Sequence, residues 1–369
     1  MAPMTKGSNL PYRRLCVELG ARVVVSEMVV ARRLKQKRRG EFALIRRSPD
    51  EPCFGVQLAG NRPEETAWAA ALVESRGADF VDLNLGCPID HFTRKGLGAA
   101  LARQPSRVRR IVEAMRLAVT VPVTVKIRLG WNATHRNYKE LAQAAIDGGA
   151  SALTVHGRTR EDRYRHPADW DTIREIAGLV SVPVVGNGDL LFGHEIQDRL
   201  ANSGCIAVMT ARGALIKPWI FREATTGYWD ITAEERLAIY RRYVALAVEH
   251  WTPRPRVRDE IDGAEPAEPA SPIGPSGLDA FGRQRFREFL HWHVGFWVRY
   301  APRREDGSWP TMQQRESSFV PRTPLEALFA RTDDRGIDYI TDQLLDGGDL
   351  SEPPPPGADQ DTPAVEEAG

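Results

Sequence analysis

One cysteine in this 369-residue chain lies at the end of a predicted strand, where its thiol could donate a proton. The segment Asp82–Asp90 reads D-L-N-L-G-C-P-I-D and sets Cys87 between Gly86 and Pro88. Because Pro88 ends the strand and Gly86 permits a sharp turn, the thiol can be directed into a pocket at the strand's carboxyl end. A thiol with an ordinary pKa of ~8.5 is mostly protonated at neutral pH and can act as a general acid. Taken alone, such a cysteine is more often a small buried side chain.

Polar side chains interrupt three strands that are otherwise apolar. Gln57 and Lys126 lie within two of these strands, and His156 ends the third. A lysine in a buried strand is costly unless it is paired, so Lys126 is expected to point toward a polar ligand at the open end of the sheet. Gln57 could instead satisfy a backbone group, and His156 could be a core histidine with its ring hydrogen-bonded. The sequence leaves those two alternatives open.

Glycine-containing loops follow the last two predicted strands. One reads V-G-N-G-D at Val185–Asp189, and the other reads A-R-G at Ala211–Gly213. Backbone N–H groups at such turns and at the start of the following helix bind anions, and the Arg212 side chain could add a charged contact. Either loop alone could be a simple tight turn. Two such loops on neighbouring strands favour a phosphate site, which (β/α)8 barrels commonly hold at this place.

Several segments together match the pattern of one enzyme family. Beside the segment around Cys87, they read R-K-G-L-G at Arg94–Gly98, G-S-N-L-P-Y-R-R at Gly7–Arg14, H-G-R-T-R-E-D-R-Y at His156–Tyr164 and A-R-G-A-L-I-K-P-W-I-F at Ala211–Phe221. With this set the chain resembles the tRNA-dihydrouridine synthases, and most of all the branch that acts on position 47 of tRNA. The resemblance runs from Ala2 to about Leu345 and is interrupted at residues 253–282.

The resemblance implies a flavin-dependent reduction of uridine to 5,6-dihydrouridine in tRNA, with Cys87 as the general acid. The implied cofactors are tightly bound FMN and, as a transient reductant, NADPH or NADH. The residues implied to bind FMN are Pro3, Met4, Gln57, Lys126, His156, Asn187, Gly188, Asp189, Ala211 and Arg212. Those implied to bind the substrate are Asn84, Lys95, Arg158 and Arg160.

Short apolar runs alternate with helical patterns along residues 1–228, which we assign to the catalytic domain. We predict strands at Val23–Met28, Cys53–Ala59, Phe80–Gly86, Val121–Leu129, Ala152–Gly157, Val182–Asp189 and Ile206–Arg212. Helices are predicted at Glu64–Arg76, Ser106–Ala118, Asn137–Gly148, Asp169–Ala177 and Gly193–Ala201. Mostly apolar strands in a β-α repeat indicate a parallel sheet with both faces covered.

Seven predicted strands are one short of a TIM (β/α)8 barrel, so we expect the first strand of the barrel to be short or missing. A late start of the chain and a truly shortened strand would both explain this, and we favour the late start. An open doubly wound sheet is the structural alternative, because it does not need an eighth strand.

Residues 229–346 carry a different, helical pattern, which we assign to a tRNA-binding domain. Helices are predicted at Ile231–Trp251, Arg283–Tyr300 and Pro324–Leu345. A segment rich in Pro, Gly and acids at about 253–282 predicts a disordered insert, and residues 347–369 predict a disordered tail. The second helix combines aromatic residues suited to a bundle core with arginines that could face phosphates, as in the family's helical tRNA-binding domain; these arginines are Arg283, Arg285, Arg287 and Arg299.

Composition adds several expectations. The net charge of +1 gives no global attraction to nucleic acid, but residues 32–47 hold eight Lys or Arg and a single acid, Glu41. That stretch could contact tRNA phosphates or could be a solvated helix face. Four cysteines without a C-x-x-C pair predict neither a disulfide scaffold nor a metal site. No apolar run approaches the ~20 residues of a membrane helix, so we expect a cytoplasmic monomer.

Two other functions are compatible with parts of the pattern. An FMN barrel that acts on a free pyrimidine, such as a dihydroorotate or dihydropyrimidine dehydrogenase, would share the flavin site but would not need basic, aromatic helices. A non-catalytic RNA-binding barrel would not need the cysteine, the lysine and both glycine loops. The sequence therefore favours tRNA reduction over either.

Overall fold

Parallel strands alternate with helices over the first part of the chain, as the β-α repeat predicts. The computed structural model describes residues 1–251, 278, 280–312 and 319–355. Within these residues one sheet contains eight short strands: β1 Val24–Val25, β2 Val29–Val30, β3 Phe54–Ala59, β4 Phe80–Leu85, β5 Val123–Arg128, β6 Ala152–His156, β7 Val184–Asn187 and β8 Ala207–Met209. The order is β1-β3-β4-β5-β6-β7-β8, and β2 pairs with β3. Neighbours in the sheet follow one another along the chain, which makes the fold TIM-barrel-like and excludes the doubly wound alternative.

Helices connect these strands. They are α1 Leu10–Glu18, α2 Ala31–Lys35, α3 Arg39–Leu44, α4 Pro63–Ser75, α5 Asp90–Thr93, α6 Pro105–Ala118, α7 Tyr138–Asp147, α8 Trp170–Leu179, α9 Gly193–Asn202, α10 Arg212–Ile216 and α11 Ile220–Thr226, with a 3-10 helix at Gly98–Arg103. Local sequence explains several starts. Helices α4 and α6 begin with proline, whose missing N–H costs nothing in the first turn. The Asp169 side chain caps α8 by accepting a hydrogen bond from the N–H of Thr172.

The strand predicted at Val23–Met28 is interrupted. Strand β1 pairs Val25 with Gly55, and β2 pairs Val29 with Leu58. Four residue steps on one side therefore match three steps on β3, which is the geometry of a β-bulge. The bulge lies at residues 26–28.

The place of the predicted missing strand lies between β8 and β1. The amino group of Met1 donates a hydrogen bond to Val23 O at 2.7 Å, and the N–H of Ala2 donates to Thr210 O at 2.8 Å. Two residues thus bridge the edges that a full barrel strand would join. No strand precedes α1 in the described part of the chain, which confirms the expectation of a short or missing first strand.

Helices continue beyond the sheet as α12 Ala233–Trp251, α13 Ala280–Trp297, α14 Pro324–Phe329 and α15 Asp334–Asp346. Tyr240 of α12 stacks on Trp297 of α13 with ring centroids 4.1 Å apart, so aromatic side chains do form the core between these helices. The helix predicted at Pro324–Leu345 is two helices. Thr323 and Asp333 each cap a separate start, which breaks the helical pattern between them.

Two of the arginines expected to face phosphates are engaged within the helical part instead. Arg283 pairs with Asp346 at 2.6 Å, and Arg287 pairs with Asp342 at 2.6 Å and with Asp338 at 2.9 Å. The carboxylates of α15 neutralise both guanidinium groups. These ion pairs join α13 to α15, and the sequence did not indicate them because the acidic partners lie on a helix far away in the sequence.

The predicted insert at about 253–282 lies largely outside the described residues, and so does the tail from residue 356 onward. Residues 347–355, which the sequence assigns to the disordered tail, pack against the helices. Leu350 is buried, and Arg331 donates a hydrogen bond to Pro354 O at 2.6 Å. Across the ranges described here, we find no helix both long and apolar enough to cross a membrane.

Candidate active site

The loop after β4 carries Cys87 and turns sharply back on itself. The thiol-bearing residue is only 3% exposed, and its carbonyl oxygen accepts a hydrogen bond from the N–H of Ala99 at 3.0 Å. Gly98 has a φ of +57° and lies so close that an added Cβ would stand 2.7 Å from Cys87 O. The K-G-x-G motif therefore has a physical reason, because only glycine permits this conformation and this approach.

Asn84 fixes the turn from the strand side. Its side-chain oxygen accepts hydrogen bonds from the N–H of Cys87 at 2.9 Å and from the N–H of Gly86 at 3.2 Å. Its amide nitrogen donates to Gln57 Oε1 at 2.6 Å, and Gln57 Nε2 donates to the buried Asp82 carboxylate at 2.8 Å. A continuous chain of side-chain hydrogen bonds thus runs from beneath the pocket to the cysteine backbone.

The thiol is held in its protonated form. Burial raises the pKa of Cys87 above its ordinary value, and this outweighs the opposing effects of the Ile89 N–H and of the positive charges on Arg128 and Lys126. A protonated thiol next to two cationic side chains can give up its proton to a group that becomes negative beside it.

Lys126 points into the same pocket without an anionic hydrogen-bond partner. It forms no hydrogen bond and no ion pair with any other residue that the structure describes. Burial, reinforced by repulsion from Arg128, lowers the pKa of Lys126 to about 8, and the charge of Asp82 only partly opposes this. A half-buried cation without a hydrogen-bond partner among the described residues suits a bound ligand with an electron-rich edge.

Arg128 is a pocket residue that the sequence analysis missed. Its Nε donates to Gly86 O at 2.8 Å, and its Nη1 donates to Thr159 O at 3.1 Å. It therefore ties the Cys87 loop to the loop after β6. Residues two apart on a strand point to the same face, so the position of Lys126 was a signal that could have identified Arg128.

His156 ends β6 inside the cavity and is neutral. Burial lowers the pKa of His156 well below its ordinary value, and the charges of Arg128, Lys126, Arg158 and Arg212 lower it further. A neutral imidazole can accept or donate a hydrogen bond to a ligand without adding charge.

Arg158 lies inside the pocket wall and is 1% exposed, unlike the solvent-facing arginine that the resemblance implied. Both oxygens of Asp189 accept hydrogen bonds from Arg158 Nη2, at 2.8 and 2.6 Å. Arg212 reaches the same carboxylate at 3.2 Å and lies over the Tyr164 ring, with its guanidinium carbon 3.8 Å from the centroid. Two arginines therefore contact the same carboxylate at this end of the pocket.

The two glycine loops meet at the end of the pocket that holds Arg158 and Arg212. Asn187 Nδ2 donates to Met209 O at 2.8 Å and so joins β7 to β8. Gly188 has a φ of +140°, and a Cβ there would overlap Ala168; a Cβ on Gly213 would overlap Leu190 O. Among the described residues we find no acceptor for the N–H of Gly188 or of Gly213. Unpaired N–H groups beside an arginine are the donor set that a phosphate needs.

The loop before α1 forms another part of the cavity wall. Ser8 holds it by accepting a hydrogen bond from the N–H of Met4 at 2.6 Å and donating to Ala2 O at 2.9 Å. This short turn presents Pro3 and Met4 to the pocket.

Most of the predicted site residues line this single cavity at the carboxyl ends of the strands. They are Pro3, Met4, Gln57, Asn84, Cys87, Lys126, His156, Arg158, Asn187, Gly188, Asp189, Ala211 and Arg212. Lys95 and Arg160 are not among the lining residues. Lys95 is exposed, and Arg160 contacts Asp90 and lies over the Trp131 ring, 4.6 Å from its centroid.

A second group of lining residues was not predicted, namely Met28 from the β-bulge, Tyr164 and Met312. Met312 comes from the chain beyond α13. The preceding segment docks on the loop after β7, where the ring centroid of Trp309 lies 4.7 Å from that of Phe192 and 4.4 Å from that of His194. The part of the chain after the sheet therefore contributes to the pocket.

Comparison with known proteins places this geometry in context. The family model described as dihydrouridine synthase (Dus) matches residues 1–254. A tRNA-dihydrouridine(47) synthase (NAD(P)+) from Coprinopsis cinerea is 35% identical over 362 residues, which cover 94% of this chain and 50% of the relative. The corresponding human protein, named with the suffix "-like", is 37% identical over 353 residues, again covering 94% and 50%. A "-like" relative from Oryza sativa is 42% identical over 258 residues, or 68% of this chain and 37% of its own. The chain spans about half the length of the first two relatives.

A solved structure of 6-hydroxypseudooxynicotine amine oxidase from Pseudomonas geniculata has a TM-score of 0.51 to this chain. It is 12% identical, and the match covers 74% of this chain and 54% of that one. At this identity the likeness shows a shared fold and nothing about the reaction.

Proposed function

The chain belongs to the dihydrouridine synthase family, and from that membership we propose that it reduces uridine to 5,6-dihydrouridine in tRNA, at position 47, with FMN and NAD(P)H. The observation that carries the proposal is the shared pocket. A protonated cysteine, an unpaired lysine and two loops with free N–H groups surround one cavity at the open end of the strands. In parallel barrels this edge is where catalytic groups collect.

The residues of the pocket fit FMN. The N–H groups of Gly188 and Gly213, together with the Arg212 side chain, would hold the phosphate. The Lys126 ammonium would meet an electron-rich edge of the ring, while Pro3 and Met4 would lie against its face. When bound and reduced by NADPH or NADH, FMN would supply the hydride.

The protein would supply the proton. We assign Cys87 Sγ as the donor to the uracil carbon that does not receive hydride. Gly98 and Asn84 fix the backbone of the cysteine, so the sulfur is held in one place before the substrate arrives. The positive charges of Lys126 and Arg128 would stabilise the enolate-like charge that develops on the base before it is protonated.

We assign substrate contacts both to residues that line the cavity and to residues outside it. Asn84 has most of its hydrogen-bonding capacity committed to Gln57 and to the Cys87 turn, so its main contribution would be to position that turn. Arg158 would act from the pocket wall through Asp189. Lys95 and Arg160 lie outside the cavity and would meet the RNA rather than the base.

The relatives' names favour tRNA over a free pyrimidine as the substrate. The experiment is to purify the protein, record its flavin absorption, and incubate it with NADPH and an unmodified tRNA transcript. We expect one dihydrouridine, absent when the uridine at position 47 is replaced by cytidine. Cys87→Ala should keep its flavin and lose most turnover on tRNA. Reduction of free uridine without reduction of tRNA would support the rival function instead.

A further inference from the structure

The basic stretch at residues 32–47 begins at the edge of the proposed active site. Strand β2 ends at Val30, which pairs with Ala59 at the carboxyl end of β3. Helix α2 follows immediately, and Met28, just before β2, lines the catalytic cavity. Helix α2 therefore begins at the rim of the barrel mouth, and residues 31–39 continue directly from it.

The structure divides the stretch into two parts with different roles. Arg47 is used internally: it pairs with Asp79 at 2.9 Å and donates hydrogen bonds to Gly77 O and Glu51 O. In the first part, four basic residues are exposed and form no ion pair with a residue that the structure describes; these are Arg32, Lys35, Arg38 and Arg39.

The single acid of the stretch does not neutralise these four. Glu41 is 7% exposed, and its Oε2 accepts a hydrogen bond from the N–H of Val30 at 2.7 Å. Its other oxygen accepts from Arg33 Nη1 at 3.3 Å. Glu41 thus anchors the start of α3 to the end of β2. On α2, the buried side chains of Ala31 and Leu34 pack against the core. These contacts hold the backbone that carries the four exposed basic residues in a fixed position.

A second basic segment comes to the same place from the loop that carries the cysteine. Arg33 Nη2 lies 3.5 Å from His91 Nε2, and Lys95 Nζ lies 2.9 Å from that same nitrogen. Asn61 Nδ2 donates to Lys95 O at 2.8 Å and holds this loop in position. Arg94 beside it is exposed and has no ion pair among the described residues. Cations from two segments therefore converge on one imidazole, an arrangement that an added anion would stabilise.

We propose that Arg32, Lys35, Arg38, Arg39 and Arg94, here called the basic rim, bind backbone phosphates of the tRNA whose uridine enters the pocket. This rests on the proposed function and extends it. A base can reach the cavity only if the strand on either side of it passes over the mouth, so its phosphates come within reach of the rim. The basic rim would bind the tRNA backbone independently of its sequence, whereas the pocket would select the base.

The test compares two matched pairs of arginines. R38A/R39A removes two adjacent exposed arginines from the basic rim. R109A/R110A removes two adjacent exposed arginines from α6, which also lack ion pairs within the described ranges but lie away from the rim. Both variants lower the net charge of the full chain by the same amount. For each, the Kd for an unmodified tRNA transcript is measured at several salt concentrations, along with KM, flavin content and NADPH oxidation without tRNA.

We expect R38A/R39A to raise the Kd and KM for tRNA by about tenfold and to reduce the slope of log K against log salt by about one to two. Flavin content and NADPH oxidation without tRNA should be unchanged, and R109A/R110A should behave like the parent protein. Equal weakening in both variants would show an effect of net charge alone and overturn the basic rim. So would an R38A/R39A variant that binds tRNA like the parent. If the parent protein bound tRNA through the basic rim but formed no dihydrouridine, the proposed function would fail while the basic rim would stand.

Discussion

Gly98 packs directly on Cys87, with an added Cβ placed 2.7 Å from the cysteine carbonyl oxygen and 2.9 Å from its Cβ. The contact joins two motifs that are separated along the chain. It means that the position of the proposed acid depends on a residue that has no functional group of its own.

Gly98→Ala should therefore impair proton transfer without emptying the flavin site. The substitution strains a backbone at φ +57° and also forces the Cys87 loop to move. We expect the rate of dihydrouridine formation to fall by about tenfold to 100-fold, because a displaced acid no longer reaches the substrate. Flavin absorption of the purified protein and the rate on tRNA are the two measurements.

Gly77→Ala is the control for Gly98→Ala. Gly77 has a φ of +88°, but no atom lies within 4 Å of an added Cβ. It carries the backbone strain without the contact, so it should lower stability and leave turnover intact. Equal activity in the two variants would show that the contact with Cys87 does not matter.

The charge of Lys126 should make FMN binding depend on pH. Burial lowers its pKa to about 8, so the side chain is charged below that pH and neutral above it. If the charge holds the flavin, the Kd for FMN should rise as the pH passes 8, and Lys126→Met should bind FMN weakly with no such step. Quenching of flavin fluorescence between pH 6.5 and 9.5 measures both. Lys139→Met, a change at an exposed lysine paired with Glu175, should leave the step in place.

The flavin-free protein should show the opposite trend in stability. A lysine whose pKa is lowered by folding binds fewer protons in the folded state than in the unfolded state between pH 8 and its ordinary 10.5. Its destabilising effect is therefore full below pH 8 and fades as the pH rises. Urea unfolding should show Lys126→Met to be more stable than the parent at pH 7, with the difference shrinking by pH 10. A difference that grew with pH would contradict the assignment.

The strands were predictable because a strand buried on both faces has a short, mostly apolar sequence. The apolar runs around Leu58, Leu83 and Val125 all form strands in the structure. The bulge at residues 26–28 was not, since an extra residue is defined only against the register of the partner strand.

The site was predictable to the same extent and for a related reason. Residues such as Cys87 and His156 end parallel strands, and the carboxyl ends of parallel strands meet at one edge. Met312 could not be foreseen, because it reaches the pocket only through the docking of Trp309 on Phe192. Arg158 was expected to face RNA, yet it turns inward because Asp189 offers it two oxygens.

Arg212→Ala should weaken the retention of FMN. Its guanidinium lies at the loops assigned to the phosphate, and charge-assisted contacts of this kind contribute roughly 1.5–3 kcal/mol. The Kd for FMN should rise by about tenfold to 100-fold, as measured by titration of the flavin-free protein. Arg174→Ala, on α8, removes an arginine paired with Asp171 at the surface and should have no effect. Unchanged flavin affinity in Arg212→Ala would argue against a phosphate at this end of the pocket.

Lys217 and Glu223 form a buried ion pair beside the loop after β7, and removal of one partner should destabilise the fold. Lys217 Nζ and Glu223 Oε2 are 2.6 Å apart with both side chains fully buried, and the ammonium lies 4.0 Å from the centroid of the Phe192 ring. Glu223→Ala would leave the lysine buried without its partner, at a cost of about 3–5 kcal/mol in the free energy of unfolding at pH 7. Burial lowers the pKa of Lys217 to about 8 even though Glu223 raises it, so the lysine of Glu223→Ala loses its proton at a lower pH than in the parent, and this loss should diminish as the pH rises toward 8. The double variant K217M/E223L removes both charges and should lose less than Glu223→Ala in the same urea titration. If the double variant were the less stable of the two, an unpaired buried lysine would not be the cause of the loss in Glu223→Ala.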